Sequence, residues 1–157
     1  MVASNMIYEG KALNLPPFNF KIKTGETGKF LIFDELRKKW LMLTPEEWVR
    51  QHIIKYLVEH KGYPKSLFAL EKGIWYNEMR KRFDVLVLDR MGGPFFLIEC
   101  KAPEIKLTQK TVEQVCLYNK KIGAAFLGIS NGNAHIFMEK QVNEEKYLQI
   151  NHFPVFK

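Results

Sequence analysis

Two runs decide the fold: Phe83-Asp-Val-Leu-Val-Leu-Asp89 and Phe95-Phe-Leu-Ile-Glu-Cys-Lys101, separated by Arg90-Met-Gly-Gly-Pro94. Short apolar stretches rich in Val, Leu, Ile and Phe and bounded by turn residues read as buried strands. The Gly92-Gly93 pair between them predicts a hairpin. The second run is almost wholly apolar up to Glu99, which predicts a central strand. Folding the pair about a turn near Gly92 places Asp84 opposite roughly residue 100. A register change of one residue sets it beside Glu99 or Lys101 instead. Side chains alternate faces on a strand, so Glu99 and Lys101 point one way and Cys100 the other. Two carboxylates and an amine are thus expected at one end of a hairpin.

Outward from this hairpin, the helix signals are strong on both sides. Upstream, Thr44-Pro45-Glu46-Glu47 carries an N-cap, a proline for the first turn and a capping-box acid. Val49, Ile53, Ile54 and Leu57 then share one face, and Gly62 and Pro64 end the element. Downstream, Thr108 to Ile122 shows helical spacing at Val112, Val115, Cys116 and Leu117. Ala124–Ser130 reads as a buried strand that turns through Asn131-Gly-Asn133 into Ala134–Met138, and the C-terminus ends in a short β-like piece. Residues 66–79 look like β structure. Before residue 44, Phe18–Lys23 alternates apolar with polar and pairs in prospect with Phe30–Phe33 across a Gly25–Gly28 turn. Residues 35–43 fit strand or helix.

The chain's 157 residues suit one domain. An apolar content of 46% with 26% charged residues is a globular mixture, which excludes disorder. No run of 18 apolar residues exists, so no membrane span is expected, and the N-terminus lacks a signal-peptide pattern. Cys100 and Cys116 form no CxxC or Cys/His cluster, which disfavours a disulfide scaffold or a structural zinc site and fits a reduced cytoplasm. The four histidines, at 52, 60, 135 and 152, have no ligand spacing. No Walker motif or helicase signature occurs. The net charge is +7, and residues 80–121 supply +4 of it, pointing to a polyanionic partner.

Neighbouring carboxylates raise each other's pKa unless a cation sits between them. Such hard oxygen donors suit Mg²⁺, which takes one or two carboxylates, keeps waters and accepts a substrate phosphate. Asp84 and Glu99 are therefore the candidate metal ligands. Lys101 is placed to hold an attacking water or stabilise developing charge. The acid-x-Lys spacing alone is weak. It recurs at Glu9, Glu104 and Glu144, but only Glu99 ends an apolar strand opposite another acid. A plain salt bridge between Lys101 and either carboxylate is the competing reading. Arg80 and Arg82 precede Asp84 and are candidates for phosphate contacts, or else part of a solvated charge run. Glu71 is a further acid whose register is open.

Taken together, these residues resemble the PD-(D/E)xK nuclease superfamily, and more closely the N-terminal nuclease domain of type I restriction enzyme motor subunits. The resemblance rests on Lys81-Arg-Phe-Asp84-Val-Leu-Val, Pro94-Phe-Phe-Leu-Ile-Glu99-Cys-Lys101-Ala-Pro, Gln114-Val-Cys-Leu-Tyr118 and Pro45-Glu-Glu-Trp-Val-Arg-Gln51. The third block is similar to the QxxxY motif of that group and of RecB-type nucleases. Phe83 stands where a proline is usual. The resemblance implies that Gln114 and Tyr118 lie beside the site and orient Lys101 or touch DNA. It also implies that the first helix supplies another acid. Helical spacing puts Glu46 on the face of Val49, Ile53 and Leu57, which favours Glu46 for that part and Glu47 for the cap.

The expected architecture is α/β, a restriction-endonuclease-like mixed central sheet flanked by helices over residues 44–157, with an N-terminal β extension over residues 1–43 packed on it. The expected function is Mg²⁺-dependent hydrolysis of DNA phosphodiesters, with Mn²⁺ able to substitute. Asp84, Glu99, Lys101 and Glu46 would be catalytic. The alternative is a non-catalytic module of the same fold that binds DNA or a restriction-system partner. One site per chain makes a homodimer an option for double-strand cleavage.

Overall fold

The computed structural model describes residues 8–70, 73–76, 79–142 and 145–157, with the backbone alone over 73–76 and 79–82. It is a mixed α/β structure. The chain begins with a three-stranded antiparallel sheet of β1 (Ile22–Thr24), β2 (Phe30–Asp34) and β3 (Lys39–Met42). The expected first strand is shorter than its alternation suggested. Phe18 and Phe20 leave the ladder and pack on His52, Phe18 tilted and Phe20 edge-on, and Phe20 also packs edge-on against Trp48. The ambiguous 35–43 stretch is a turn followed by β3. Asp34 closes that turn by accepting the N–H groups of Leu36 and Arg37, both at 3.0 Å, and Lys38 adopts φ 57°.

Helix α1 (Pro45–Glu59) starts where its cap predicts, with the Glu47 N–H donating to Thr44 Oγ1 at 3.0 Å. The Glu47 carboxylate is bonded to Arg50 and Gln51, so it is drawn along the helix rather than back to the cap. Val49, Ile53 and Leu57 are fully buried. After α1, the 66–79 stretch is β structure in part, as expected. Lys65–Leu67 is a 3₁₀ turn, and Phe68 and Ala69 pair along the outer edge of Leu86–Val87. Strands β4 (Gly73–Tyr76) and β5 (Met79–Arg82) form a separate antiparallel ribbon.

The main sheet contains β6 (Val85–Leu88), β7 (Pro94–Cys100), β8 (Phe126–Ser130), β9 (His135–Lys140) and β10 (Tyr147–Ile150), in the order β10-β9-β8-β7-β6. Strands β7 and β8 run parallel because α2 (Gln109–Ile122) carries the chain across between them. The other pairs are antiparallel. Strand β7 is interior, as its apolar run requires.

Strand alternation sorts the core into two layers. Val85, Val87, Phe96, Ile98 and Cys100 pack with Val49, Ile53 and Leu57 of α1. Leu86, Leu97, Leu127 and Ile129 pack with Val115 of α2 on the opposite face. Leu117 does not join that layer and is 47% exposed, whereas Asn119 is buried. The helix is rotated so that an amide, not a leucine, faces the sheet. Among the described residues no helix is long and apolar enough to cross a membrane.

Candidate active site

The hairpin register puts Asp84 next to Glu99. Val85 pairs with Ile98, Leu86 with Leu97 and Val87 with Phe96, and the ladder slips only at Val87/Leu88, near the turn. Continued by one residue, this register sets Asp84 level with Glu99. The Asp84 carboxylate accepts the backbone N–H of Cys100 at 2.8 Å and shares a side-chain hydrogen bond with Glu99. A hydrogen bond between two carboxyl groups needs one of them protonated. Burial, the Asp84 charge and this bond push the Glu99 carboxyl up to about 8, against the pull of Lys101. Burial also raises Asp84, although the Cys100 N–H, the Glu99 hydrogen bond and the charges of Arg50 and Lys101 oppose it. Burial outweighs the positive charges of Arg50 and Lys101, so the pair keeps the proton of that bond at neutral pH.

Lys101 follows directly on β7. Its Nζ stands 3.5 Å from Glu99 Oε1, and both side chains are about one-third exposed. Cys100 between them is fully buried on the α1 side. Glu46, at the start of α1, is exposed but within electrostatic reach of the pair. Burial and the Asp84 charge raise its carboxyl, and Lys101 pulls it down. Tyr118 of α2 approaches from the other side, where burial and the charges of Glu99 and Asp84 push its hydroxyl up to about 12. Gln114 is exposed one turn earlier on α2. The Arg80 and Arg82 side chains, and Glu71, lie outside the described residues.

One buried group here escaped the sequence reading. Arg50 is 6% exposed. Its Nε donates to the backbone carbonyl of Asp84 at 2.8 Å and its Nη1 to Glu47 Oε2 at 2.8 Å. Asp34 Oδ2 on β2 lies 3.6 Å from the same Nη1. Gln51 Nε2 donates to Asp34 at 3.2 Å and to Glu47 at 3.0 Å. Burial alone would raise the Asp34 carboxyl, but hydrogen bonds from Arg37 and the charges of Arg37 and Arg50 hold it below its usual range. The N-terminal sheet is thus tied through α1 to the backbone of Asp84. The available signal was the spacing Glu47, Arg50, Gln51, a polar cluster at i, i+3 and i+4 on a helix.

An open cleft in front of Asp84 is lined by Glu46, Glu47, Arg50 and Phe83 on the core side and by Arg37, Lys39 and Thr44 on the N-terminal side. Among the described residues no three His, Cys, Asp or Glu side chains converge closely enough to cage a metal by themselves. The donor set at Asp84 and Glu99 still fits a hard dication. Mg²⁺ needs only one or two carboxylates when water and phosphate complete the shell.

Comparison with known proteins adds one finding. The family model for the type I restriction enzyme R protein N terminus (HSDR_N) matches residues 45–154. No curated protein and no solved structure gives a significant match.

Proposed function

The chain belongs to the type I restriction enzyme R protein N-terminal family, and on that premise we propose that it is a Mg²⁺-dependent DNA nuclease with a restriction-endonuclease-like core. The observation that carries this reading is the pairing of Asp84 and Glu99 at a strand end, sharing a hydrogen bond beside Lys101. Asp84 and Glu99 would hold the dication, which would supply Lewis-acid stabilisation of charge on the scissile phosphate. Lys101 would orient the attacking water and offset charge on the phosphate oxygens. Glu46, its carboxyl raised by burial and Asp84, would accept a proton. Tyr118 and Gln114 would position Lys101 or the DNA, and Arg80 and Arg82 would contact phosphates. DNA and other restriction-system subunits are the partners this reading implies.

The test is cleavage of plasmid DNA with and without Mg²⁺ by the wild type and Asp84→Ala. Wild type should cut only with the metal, and Asp84→Ala should not cut. Equal residual cutting by both would defeat the assignment. The Lys101 ammonium, 3.5 Å from Glu99 Oε1, favours a second reading, a non-catalytic DNA- or partner-binding module in which Lys101 takes the place of a metal. Calorimetric titration with Mn²⁺ separates the two, because the binding module takes up no metal at Asp84 and Glu99.

A further inference from the structure

The two faces of the N-terminal sheet differ in kind. The inward face carries Ile32, fully buried, and Asp34, tied into the Arg50 network. The pairings Leu31↔Met42, Phe33↔Trp40 and Lys23↔Leu31 put the other residues on the outward face. There Trp40 is 37% and Met42 53% exposed. Phe33 and Trp40 form an edge-to-face pair with centroids 5.3 Å apart. The Lys23 ammonium lies 4.2 Å from the Trp40 ring centroid, and Lys21 lies 5.6 Å from that of Phe33. Residues 21–42 hold six Lys/Arg against three Asp/Glu, and one of those acids, Asp34, is buried and internally paired. An exposed sheet face that joins aromatic rings to lysines has the composition of a stacking platform for an unpaired strand. Duplex DNA would offer its phosphates to the lysines but hide its bases from Trp40.

Position supports the same partner. Strand β3 is the rim between this face and the cleft. Lys39, paired with Asp34 on the inward side, lines the cleft with Glu46 and Asp84, while its neighbour Trp40 faces outward. We propose that the outward face of the N-terminal sheet binds single-stranded DNA continuous with the strand in the cleft, with Lys21 and Lys23 on phosphates and a base stacked on Trp40. Lys23 already covers the ring, and its flexible stem lets the ammonium shift to a phosphate as the base takes its place. This face precedes the residues that the family model matches. The inference rests on the DNA-directed reading of the cleft.

The experiment measures binding of a fluorescein-labelled oligothymidine in EDTA, where nothing is cut, across a salt series. Lys21→Glu/Lys23→Glu should weaken binding by about tenfold or more, and loss of two phosphate contacts should flatten the log–log salt slope by about 1.4. Trp40→Ala should lose about fivefold or more and Trp40→Phe much less, since a phenyl ring still stacks. Thermal melts check folding, and the exposed double lysine variant decides the matter if Trp40→Ala is unstable. Variants that bind like wild type with an unchanged slope overturn the proposal, as does a wild type that binds no oligonucleotide. Parallel Mn²⁺ calorimetry keeps the two readings apart. No metal uptake by wild type, with oligonucleotide binding still lost in the variants, sinks the nuclease reading and leaves the platform standing. Metal uptake with unaffected oligonucleotide binding does the reverse.

Discussion

At the scale of single residues, Arg50 is where the local chemistry is most exposed to change. Its guanidinium serves the Asp84 carbonyl, Glu47 and, more distantly, Asp34 at once. Arg50→Met would leave two carboxylates short of a partner in a buried setting. Removing one member of such a network typically costs about 3–5 kcal/mol, so urea unfolding should show a loss of that order. Arg50→Lys should recover only part of it, because an ammonium lacks the planar fork. The Glu99 carboxyl gives a prediction in pH. Folded, it holds its proton up to about pH 8, while its ordinary value is 4.5. Between these values the folded chain binds more protons than the unfolded one, so stability falls as pH rises through that window. Thermal melts of metal-free protein should decline from about pH 5 to about pH 8, and Glu99→Gln should flatten the decline. A wild-type profile that rises over this range would contradict the shared-proton arrangement. These residues were legible to different degrees. Asp84, Glu99 and Lys101 stood out because strand alternation and a turn are local rules. Arg50 and Asp34 did not, because they are 16 positions apart and a buried ion network has no period.

Among the elements, the helices were read most accurately at their ends. Thr44 and Thr108 cap α1 and α2 by accepting the N–H three residues on, and Gly123 ends α2 at φ 79°. Caps depend on a few adjacent residues and therefore show in sequence. The buried face of α2 showed in part: Val112, Val115 and Cys116 pack on the sheet as their spacing predicts, but Leu117 is exposed and Asn119 lies inside with Val115. The Asn119 Oδ1 accepts the Ala124 N–H at 2.9 Å, and its Nδ2 donates to the Ala124 carbonyl and the Tyr147 hydroxyl, both at 3.0 Å. One amide thereby fixes the end of α2 to the start of β8 and to β10. Asn119→Ala would leave the buried Ala124 groups unpaired, at about 1–3 kcal/mol for each polar group so stranded. Denaturant melts should show that loss, while Leu117→Ala should change stability by less than about 0.5 kcal/mol.

For the whole molecule, the question is whether the N-terminal sheet is an appendage or part of the body. Phe20 covers Trp48 and His52, the Trp48 indole donates to the Lys11 carbonyl at 2.9 Å, and the Asn14 N–H donates to Gly132 at 2.8 Å. Deleting residues up to 44 would uncover this seam and strip Arg50 of Asp34. The truncated chain should melt at least about 10 °C lower, several kcal/mol in a domain of this size, or without a cooperative transition. Circular dichroism on both chains decides it, and equal melting would make the sheet an appendage.

The sequence by itself determined the hairpin at Asp84 and Glu99, the helix boundaries, the interior place of β7 and the composition of the core. All of these follow from rules that act over a few residues. Tertiary structure alone decided the register that sets Asp84 level with Glu99, because the ladder slips by one residue at Val87/Leu88 and a turn signal does not count such a slip. It also turned Asn119 rather than Leu117 inward on α2, and it joined the N-terminal sheet to the site through Asp34 and Arg50. Those outcomes depend on contacts between distant segments, whose energies compete only once the chain is folded.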